Sequence, residues 1–367
     1  MISARDARAS RASWWGRWPA TGHVLWRIAR PEAPSPLRAL AQAVTVETRE
    51  VPAGGGALRV VVYRPARPCA TLVLNGGFVP ESTNDPRLQN FASALAETGF
   101  LVLTPDYPAV RELAFTPTTI DQIRDVIRAV RAERDLGGDG PLAMIGLSYM
   151  ATLSLKAALR PEIESPPDYL GVFGGYEDFT DLMHDVFREE YRFGETGTPV
   201  DPYGRFLVVR SLVDYFDPPP DERERIRELA LWCGQKCAPR DIDEAAARLS
   251  PRGRKAFEAL RAFDPARSPD LWRAMLHDHR DASEALSVRE PPERLRSRLF
   301  ILHSAYDHVL PYTHSVRLHA RFPSSDLVLT TLFTHVNPRL NPLTALSHAR
   351  ELWKLLRVFH RLMAVRE

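Results

Sequence analysis

The sequence predicts an α/β protein with a mostly parallel central sheet, helices on both faces of that sheet and a helical cap insertion. Three observations predict this class. Short apolar segments alternate with helical patterns over residues 70–178, the same alternation returns after residue 296, and the residues between carry helical patterns alone. Strands that alternate with helices form parallel sheets covered on both faces, so we expect one core assembled from two separate parts of the chain.

The first part of the core, residues 44–178, opens with a predicted β-hairpin. Residues 44–53 alternate apolar and polar side chains, glycines 54–56 supply the turn, and residues 58–64 are rich in Val and Tyr. Buried strands are predicted at 70–74, 100–104, 144–147 and 170–174. Apolar residues recur at helical spacing between these strands, at Leu88, Phe91 and Leu95, at Ile120, Ile123, Ile127 and Val130, and over residues 151–159.

Residues 179–296 break the alternation and are predicted to form the helical cap. Prolines separate several helical patterns there, at positions 218–220, 239, 251 and 269. Loops of this length without secondary structure are rare in compact domains, which favours folded helices. The second part of the core, residues 297–367, resumes the alternation with a strand at 299–303, a helix near 314–322, a strand at 327–332 and a C-terminal helix that carries Leu352, Leu355, Leu356 and Phe359.

Composition and charge are those of an ordinary folded protein. The 367 residues are 44% hydrophobic and 26% charged, and 48 basic against 46 acidic residues leave a net charge of +2. No charge excess therefore favours nucleic acid or anionic substrates as partners. No segment reaches the roughly 18 apolar residues of a membrane-spanning helix. Three cysteines, Cys69, Cys233 and Cys237, are too few for a disulfide framework, so a cytoplasmic location is predicted.

Neither a metal nor a cofactor is predicted. Cys233 and Cys237 lie four positions apart on a predicted helix, but no second pair of ligands follows, so packing against other helices is the favoured interpretation. The glycine clusters at 54–56 and 137–138 match no phosphate-binding loop and are interpreted as turns.

An N-terminal arm, residues 1–43, precedes the core. It is basic and rich in tryptophan, with Arg5, Arg8, Arg11, Arg17, Arg27 and Arg30 interleaved with Trp14, Trp15, Trp18 and Trp26. No apolar segment of the kind found in signal peptides is present. We expect the arm to pack across the body of the protein or to be partly disordered, with weak contact to an anionic membrane surface as the lesser alternative.

A candidate nucleophile stands at the turn after a predicted strand. Residues 144–151 read Met-Ile-Gly-Leu-Ser-Tyr-Met-Ala, which places Ser148 between a strand and a helix. A sharp turn there exposes the serine hydroxyl and directs the next backbone N–H at the same point, an arrangement called a nucleophile elbow. A glycine two residues before a serine is common by chance, so the strand-to-helix context carries the prediction.

A nucleophilic serine needs a base and a group that orients the base. Asp307 follows the strand at 299–303, and His335 follows the last predicted strand. Both therefore lie at the carboxyl edge of the sheet, where Ser148 also lies. Asp178 is the rival acid, and the rival bases are His303, His308 and His314, none of which follows the last strand.

With these residues the chain resembles the α/β-hydrolase superfamily, over residues 44–178 and from 299 to the C-terminus. The resemblance rests on the hairpin, the glycine-rich turn at 75–78, the elbow at 146–149, the Asp307 loop with its Pro311, and His335 after the last strand. The order Ser, Asp, His is the order of that family. It also loosely resembles bacterial members described as dienelactone-hydrolase-like or prolyl-oligopeptidase-like.

The resemblance implies a role for each residue. Ser148 would be the nucleophile, His335 the general base and acid, and Asp307 the carboxylate that orients the imidazole. The oxyanion hole would use the backbone N–H of Tyr149 and one from the turn, at Gly77 or Phe78.

The chain departs from the family pattern at two positions. Met150 stands where a small residue is usual, which predicts a slightly different elbow, and Asn75 replaces the usual histidine before the two glycines of the turn. Neither departure removes a catalytic atom.

The predicted function is hydrolysis of a small-molecule carboxylic ester with an apolar moiety, through an acyl-enzyme on Ser148. Thioesters and small amides use the same chemistry. Acyl transfer by the same triad and a non-catalytic binding protein on the same fold are the alternatives. Most cap aromatics are expected in the core, with a few lining an apolar pocket, among Phe179, Phe187, Tyr191, Phe193, Tyr203, Phe206, Tyr215 and Phe216.

Overall fold

The computed structural model describes residues 4–335 and 349–366, with side chains from residue 16 onward. The basic and aromatic residues at the start of the predicted arm have side chains outside the described part; they are Arg5, Arg8, Arg11, Trp14 and Trp15. The strands are β1 (Val44–Ala53), β2 (Gly56–Pro65), β3 (Ala70–Asn75), β4 (Phe100–Pro105), β5 (Leu142–Leu147), β6 (Tyr169–Phe173), β7 (Glu190–Phe193), β8 (Thr196–Pro199), β9 (Arg298–Ser304) and β10 (Asp326–Thr330).

One sheet contains eight of these strands in the order β1-β2-β4-β3-β5-β6-β9-β10. The pairs β1·β2 and β2·β4 are antiparallel, and all the other pairs of this sheet are parallel. The register places Leu147 opposite Phe173 and Ser304 opposite Thr330, so the carboxyl ends of neighbouring strands lie close together. The predicted hairpin and mostly parallel sheet are confirmed, although β10 ends at Thr330 rather than at residue 332.

Helices cover both faces of this sheet. They are α1 (Ala4–Ala29), α2 (Pro86–Ala96), α3 (Pro108–Arg111), α4 (Thr118–Ala132), α5 (Tyr149–Ala158), α6 (Phe179–Asp185), α7 (Pro202–Ser211), α8 (Arg223–Gly234), α9 (Pro239–Ala246), α10 (Pro251–Arg261), α11 (Pro269–Asp278), α12 (Arg280–Leu286), α13 (Thr313–Arg321) and α14 (Ala349–Met363).

Alternation of side chains along the strands divides the core into two layers. Met144 in β5 faces the layer that contains α4, α5 and α13, whereas its neighbours Ala143 and Ile145 face the layer that contains α2 and α14. Both neighbours and Met144 are fully buried, as expected for a parallel strand covered on both sides. The inserted helices extend the first of these layers.

The insertion between β6 and β9 contains helices α6–α12, as predicted, and also the two-stranded sheet β7·β8, which was not predicted. Its entry and exit are joined, because the Val288 N–H donates to the Glu177 carbonyl at 2.8 Å and the Phe179 N–H donates to Ser287 Oγ at 2.9 Å. Lys156 of α5 adds a partly buried ion pair to Glu290 at 2.7 Å. The insertion is therefore fixed to the core at its base.

The N-terminal arm forms a long helix that the sequence analysis did not predict. Trp18 of α1 stacks on Trp353 of α14 with ring centroids 5.1 Å apart. His23 lies 2.6 Å from Glu97 at the end of α2, and Asn90 of α2 donates to the Arg27 carbonyl at 2.8 Å. The described part of the arm thus packs on the core. Within residues 4–335 and 349–366, no helix combines the length and apolarity that crossing a membrane requires.

The crossing of β5 and α5 depends on Gly146. A Cβ atom at this position would lie 2.6 Å from Ala151 Cα, from the Met150 carbonyl oxygen and from Ser154 Oγ. Two of these atoms belong to backbone that cannot move without displacing the helix. Glycine therefore sets how closely the helix approaches the strand.

We predict that Gly146→Ala destabilises the protein by about 1–3 kcal/mol, because the added methyl group overlaps the backbone of α5. Urea denaturation followed by circular dichroism measures the change. The control is Gly56→Ala, where a Cβ atom meets nothing within 4 Å, and there we expect a change of at most about 0.5 kcal/mol. Equal stability of the two variants would contradict this interpretation.

Candidate active site

The candidate residues lie at the carboxyl ends of consecutive strands. In the sheet order β3-β5-β6-β9-β10, the turn with Gly77 and Phe78 follows β3, Ser148 follows β5, Asp307 follows β9 and His335 follows β10. Ligands bind at this edge in open α/β sheets. The parallel topology therefore collects residues that are far apart in the chain.

Ser148 has the strained backbone expected of an elbow. Its φ of 57° and ψ of −131° are rare for a residue with a side chain, and such conformations cost on the order of 1–3 kcal/mol. The Ser148 N–H donates to the Phe173 carbonyl at 2.7 Å, and α5 begins at the next residue. Neighbouring structure thus holds the serine, half-exposed, at the tip of the turn.

The two departures from the family pattern are accommodated without loss of this geometry. Met150 is fully buried in the core layer of α4 and α5, while the close approach behind the serine is made at Gly146. Asn75 is also fully buried: it donates to Ser154 Oγ at 2.8 Å and accepts from Tyr107 Oη at 2.8 Å. Asn75 therefore links the turn after β3 to α5.

Asp307 is a buried carboxylate, 3% exposed. Its Oδ1 accepts from the N–H groups of Val309 and Leu310 at 2.8 and 2.9 Å. Its Oδ2 lies 2.7 Å from His335 Nδ1 and 3.3 Å from His303 Nε2. Burial alone would raise the pKa of Asp307, but the charge of His335 and the hydrogen bonds from both histidines hold it well below its usual range.

His335 is held by this carboxylate. Because Asp307 is ionised, Nδ1 carries the proton of their hydrogen bond, which leaves Nε2 of the neutral ring as a proton acceptor. Burial disfavours the charged ring, but the charge of Asp307 and its hydrogen bond outweigh that effect, so the pKa of His335 is raised above its ordinary value of about 6.5. A raised pKa makes Nε2 of the neutral ring a stronger proton acceptor.

The end of β6 connects the serine turn to this pair. Phe173 accepts the Ser148 N–H, and at the next residue, Gly174, an added Cβ atom would lie 3.9 Å from both Asp307 Oδ2 and His335 Cε1. Gly174 has φ +67°, a conformation that favours glycine. Among the described residues no hydrogen bond joins Ser148 to His335 directly. Such bonds often tighten only when a substrate is present.

The rival residues have other partners. Asp178 caps α6 by accepting the Asp181 N–H at 2.9 Å, and it pairs with Arg289. His314 is fully buried with Nε2 3.1 Å from Asp185, and burial lowers its pKa.

His308 lies in the same loop as Asp307 but faces Asp201 at 3.6 Å. Burial lowers the pKa of His308. The third rival base, His303, contacts Asp307 itself.

The candidate oxyanion donors are backbone N–H groups. Those of Gly77, Phe78 and Tyr149 donate to no acceptor among the residues that the structure describes. An N–H group without an internal acceptor is available to a substrate oxygen. The three candidates lie on the turn after β3 and at the first residue of α5.

One helix of the insertion contacts two loops that carry candidate residues, a feature that the sequence analysis missed. At the start of α7, Tyr203 Oη donates to the Phe78 carbonyl at 3.0 Å, and the N–H of Asp201 donates to the His308 carbonyl at 2.7 Å. The Asp201 side chain caps the helix through the Tyr203 N–H at 2.9 Å. No local sequence signal could have shown the contacts to Phe78 and His308, since each joins segments more than a hundred residues apart.

Aromatic rings surround the turn and the elbow. Phe78 lies 4.8 Å from Phe115 and 4.6 Å from Tyr149, and Phe115 lies 5.1 Å from Phe179 of the insertion. Other cap aromatics pack within the insertion, as Phe187 does 5.5 Å from Trp272. The aromatic wall formed by Phe78, Phe115, Tyr149 and Phe179 is apolar apart from the Tyr149 hydroxyl.

Cys233 and Cys237 are free thiols that are half-buried against the core of the insertion. Within the described ranges no group of three or more His, Cys, Asp or Glu side chains is arranged to hold a metal ion.

Comparison with solved structures identifies the fold. The chain is similar to a candidate hydrolase from Legionella pneumophila, with 14% identity over 91% of this chain and 93% of that one and a TM-score of 0.56. It is similar to brefeldin A esterase, a bacterial homologue of human hormone-sensitive lipase, with 14% identity over 96% and 86% and a TM-score of 0.50. The structural neighbours are α/β-hydrolases, and the chain has the α/β-hydrolase fold predicted from its sequence.

The similarity to Pyrococcus horikoshii acylaminoacyl peptidase is lower, with 10% identity and a TM-score of 0.48 over 88% of this chain. The chain spans 42% of the length of that peptidase. No family model and no curated protein sequence matches the chain.

We predict that the pKa of His335 lies above its ordinary value, and that Asp307→Asn lowers this pKa because it removes the facing negative charge. Histidine ring resonances followed by NMR from pH 5 to about 9 give the value, with His335→Gln to assign the signal. Asp278→Asn, which alters an exposed carboxylate beside His277, should leave the His335 titration unchanged. Titration of His335 at or below the ordinary value would contradict the prediction.

Proposed function

We propose that the protein is a serine hydrolase that cleaves a carboxylic ester with an apolar moiety. One observation carries the proposal: the Asp307–His335 pair, 2.7 Å apart, lies at the same sheet edge as a serine in a strained elbow. Fold alone does not establish activity, so the proposal rests on this arrangement. Thioesters and small amides would react by the same steps.

In the first half-reaction, Ser148 Oγ attacks the carbonyl carbon of the ester while His335 Nε2 takes the hydroxyl proton. The N–H groups of Tyr149 and of Phe78 or Gly77 hold the oxygen that becomes negative. Asp307 stabilises the imidazolium and keeps the proton on Nδ1. Collapse of the tetrahedral intermediate breaks the ester bond, and His335 returns its proton to the departing alcohol.

In the second half-reaction, water replaces the alcohol. His335 takes a proton from water as the hydroxyl attacks the acyl-enzyme carbonyl, and the same backbone donors hold the second oxyanion. Ser148 Oγ then leaves with the proton from His335, and the carboxylic acid is released. Both half-reactions need neutral His335 at the start.

The surroundings of the elbow support an apolar substrate group. Phe78, Phe115, Tyr149 and Phe179 form a continuous aromatic wall beside the candidate oxyanion donors. Pockets for small molecules are lined mainly by such side chains with few polar groups. We infer that residues 179–296 act as a cap over the site, since α7 contacts the loops on both sides of it.

We predict that a fluorophosphonate probe labels Ser148 and that Ser148→Ala abolishes labelling. The same variant should lower turnover of p-nitrophenyl esters by at least about 10⁴-fold, because no other residue replaces the nucleophile. Mass spectrometry of the labelled peptide identifies the site, and a series of esters of graded acyl length reports the depth of the apolar pocket.

Ser165→Ala is the matched control for this experiment, since Ser165 is exposed, and it should label like the wild-type protein. Labelling of Ser148→Ala would reject Ser148 as the nucleophile. Absence of both labelling and ester turnover in the wild-type protein would favour a binding protein.

We predict that Tyr203→Phe lowers kcat by about three- to tenfold with little change in KM, since it removes one hydrogen bond to the oxyanion turn and keeps the ring. Steady-state kinetics on a p-nitrophenyl ester measure both constants. Tyr215→Phe is the matched control, because that cap hydroxyl donates to Asp278 on the surface. Equal kinetics of the two variants would show that the turn does not depend on Tyr203.

A further inference from the structure

Two imidazole rings share the Asp307 carboxylate. Oδ2 lies 2.7 Å from His335 Nδ1 and 3.3 Å from His303 Nε2. His303 is the next-to-last residue of β9, four positions before Asp307, and it is fully buried. The mechanism assigns it no role.

The hydrogen bonds of His303 determine which nitrogen carries its proton. Nε2 lies 3.0 Å from the Leu310 carbonyl oxygen, which can only accept, so Nε2 is protonated. Nδ1 lies 2.6 Å from Ser315 Oγ, a hydroxyl that can donate to it. Both nitrogens of a neutral ring are thereby satisfied, and the Nε2–H that donates to the Leu310 carbonyl also lies near Asp307, with Nε2 3.3 Å from Oδ2.

This arrangement places a second N–H group near Asp307 Oδ2, with the nitrogen at 3.3 Å, and this group takes no part in the reaction. Oδ1 is occupied by the N–H groups of Val309 and Leu310, so the carboxylate is held at both oxygens. A donor to Oδ2 also offsets part of the negative charge that His335 experiences. His303 Nε2 lies farther from Oδ2 than His335 Nδ1 does, so the reacting ring keeps the shorter contact with the carboxylate.

We propose that His303 is a positioning residue that fixes the orientation of Asp307 and shares its Oδ2 with the catalytic base. The inference rests on the proposed function of Ser148, Asp307 and His335. His303 contacts neither substrate nor serine in this scheme and acts through Asp307 alone.

Several other charged or titratable groups act on the same residues. Arg87 and Asp201 affect His335, and His308 is affected by both His335 and Asp307. Tyr191 is influenced by Asp307, and His314 by His303. A test must therefore leave these groups in place and change only the donor at position 303.

The experiment compares His303→Leu, which removes the donor at similar size, with His303→Gln, which can place an amide N–H near the position of Nε2. For His303→Leu we expect the acid limb of the kcat/KM profile to move up by about half a unit to one unit and kcat to fall about tenfold. His303→Gln should restore most of both. A purely structural role would lower stability and activity in both variants without moving the acid limb.

Ser315→Ala serves where His303→Leu does not fold. It removes the hydroxyl that donates to His303 Nδ1 and so helps to hold the ring in place, and it should shift the acid limb in the same direction by a smaller amount. An unchanged acid limb in both His303→Leu and Ser315→Ala, or in Ser315→Ala alone where the leucine variant does not fold, overturns the inference.

The wild-type measurements separate this inference from the proposed function. If the wild-type protein neither reacts with a fluorophosphonate nor turns over esters, the proposed function fails and the inference fails with it. If the wild-type protein is active and the variants keep its pH profile, only the inference fails. NMR titration of His335 in the variants provides the same readout without turnover.

Discussion

The structure depends most on a charge that it buries. Asp307 is nearly inaccessible to water, and an ionised carboxylate in such a place is tolerated only when donors surround it. The groups around the carboxylate come from three places: the N–H groups of Val309 and Leu310 in the same loop, the His335 ring after the neighbouring strand β10, and the His303 ring in β9. Every element that borders the site is constrained by the need to keep these donors in place.

The sheet order explains how distant segments meet that need. Strands β3, β5, β6, β9 and β10 are consecutive neighbours, so the turns that follow them form one continuous edge. Gly174 follows the central strand of the five. A Cβ atom there would lie 3.9 Å from both Asp307 and His335, and the preceding residue, Phe173, accepts the N–H of Ser148. A larger residue there would need a backbone conformation that side chains rarely adopt.

Much of this could be predicted from the sequence because the signals are local. A strand followed by a turn reveals Ser148, Asp307 and His335 one at a time, and parallel topology then implies that they share an edge. The hairpin β7·β8 lay within a region read as helical, and α1 lay within an arm whose basic and aromatic composition gave no clear period. In the sequence, His303 competes only for the role of base, since a buried strand histidine gives no sign of which carboxylate it faces.

The contacts of the insertion are the least predictable part, and for a physical reason. Tyr203 reaches the Phe78 carbonyl only after the whole of α7 has packed against the core, and no spacing along the chain encodes that distance. Met150 shows the converse case. The family pattern has a small residue at this position, which predicts that a methionine would disturb the packing of the helix on the strand. The close approach of α5 to β5 depends on Gly146, and the Met150 side chain is buried in the core.

The contacts at the start of α7 bear on how such a protein can change over time or be redesigned. Caps of α/β-hydrolases are attractive modules to exchange, because they decide which molecules enter while the core supplies the chemistry. Here the first turn of α7 is bonded to the turn after β3 and to the loop after β9. Under the proposed function, a transplanted cap that lacked this turn would alter rate as well as selectivity, so specificity and reactivity would be inherited together.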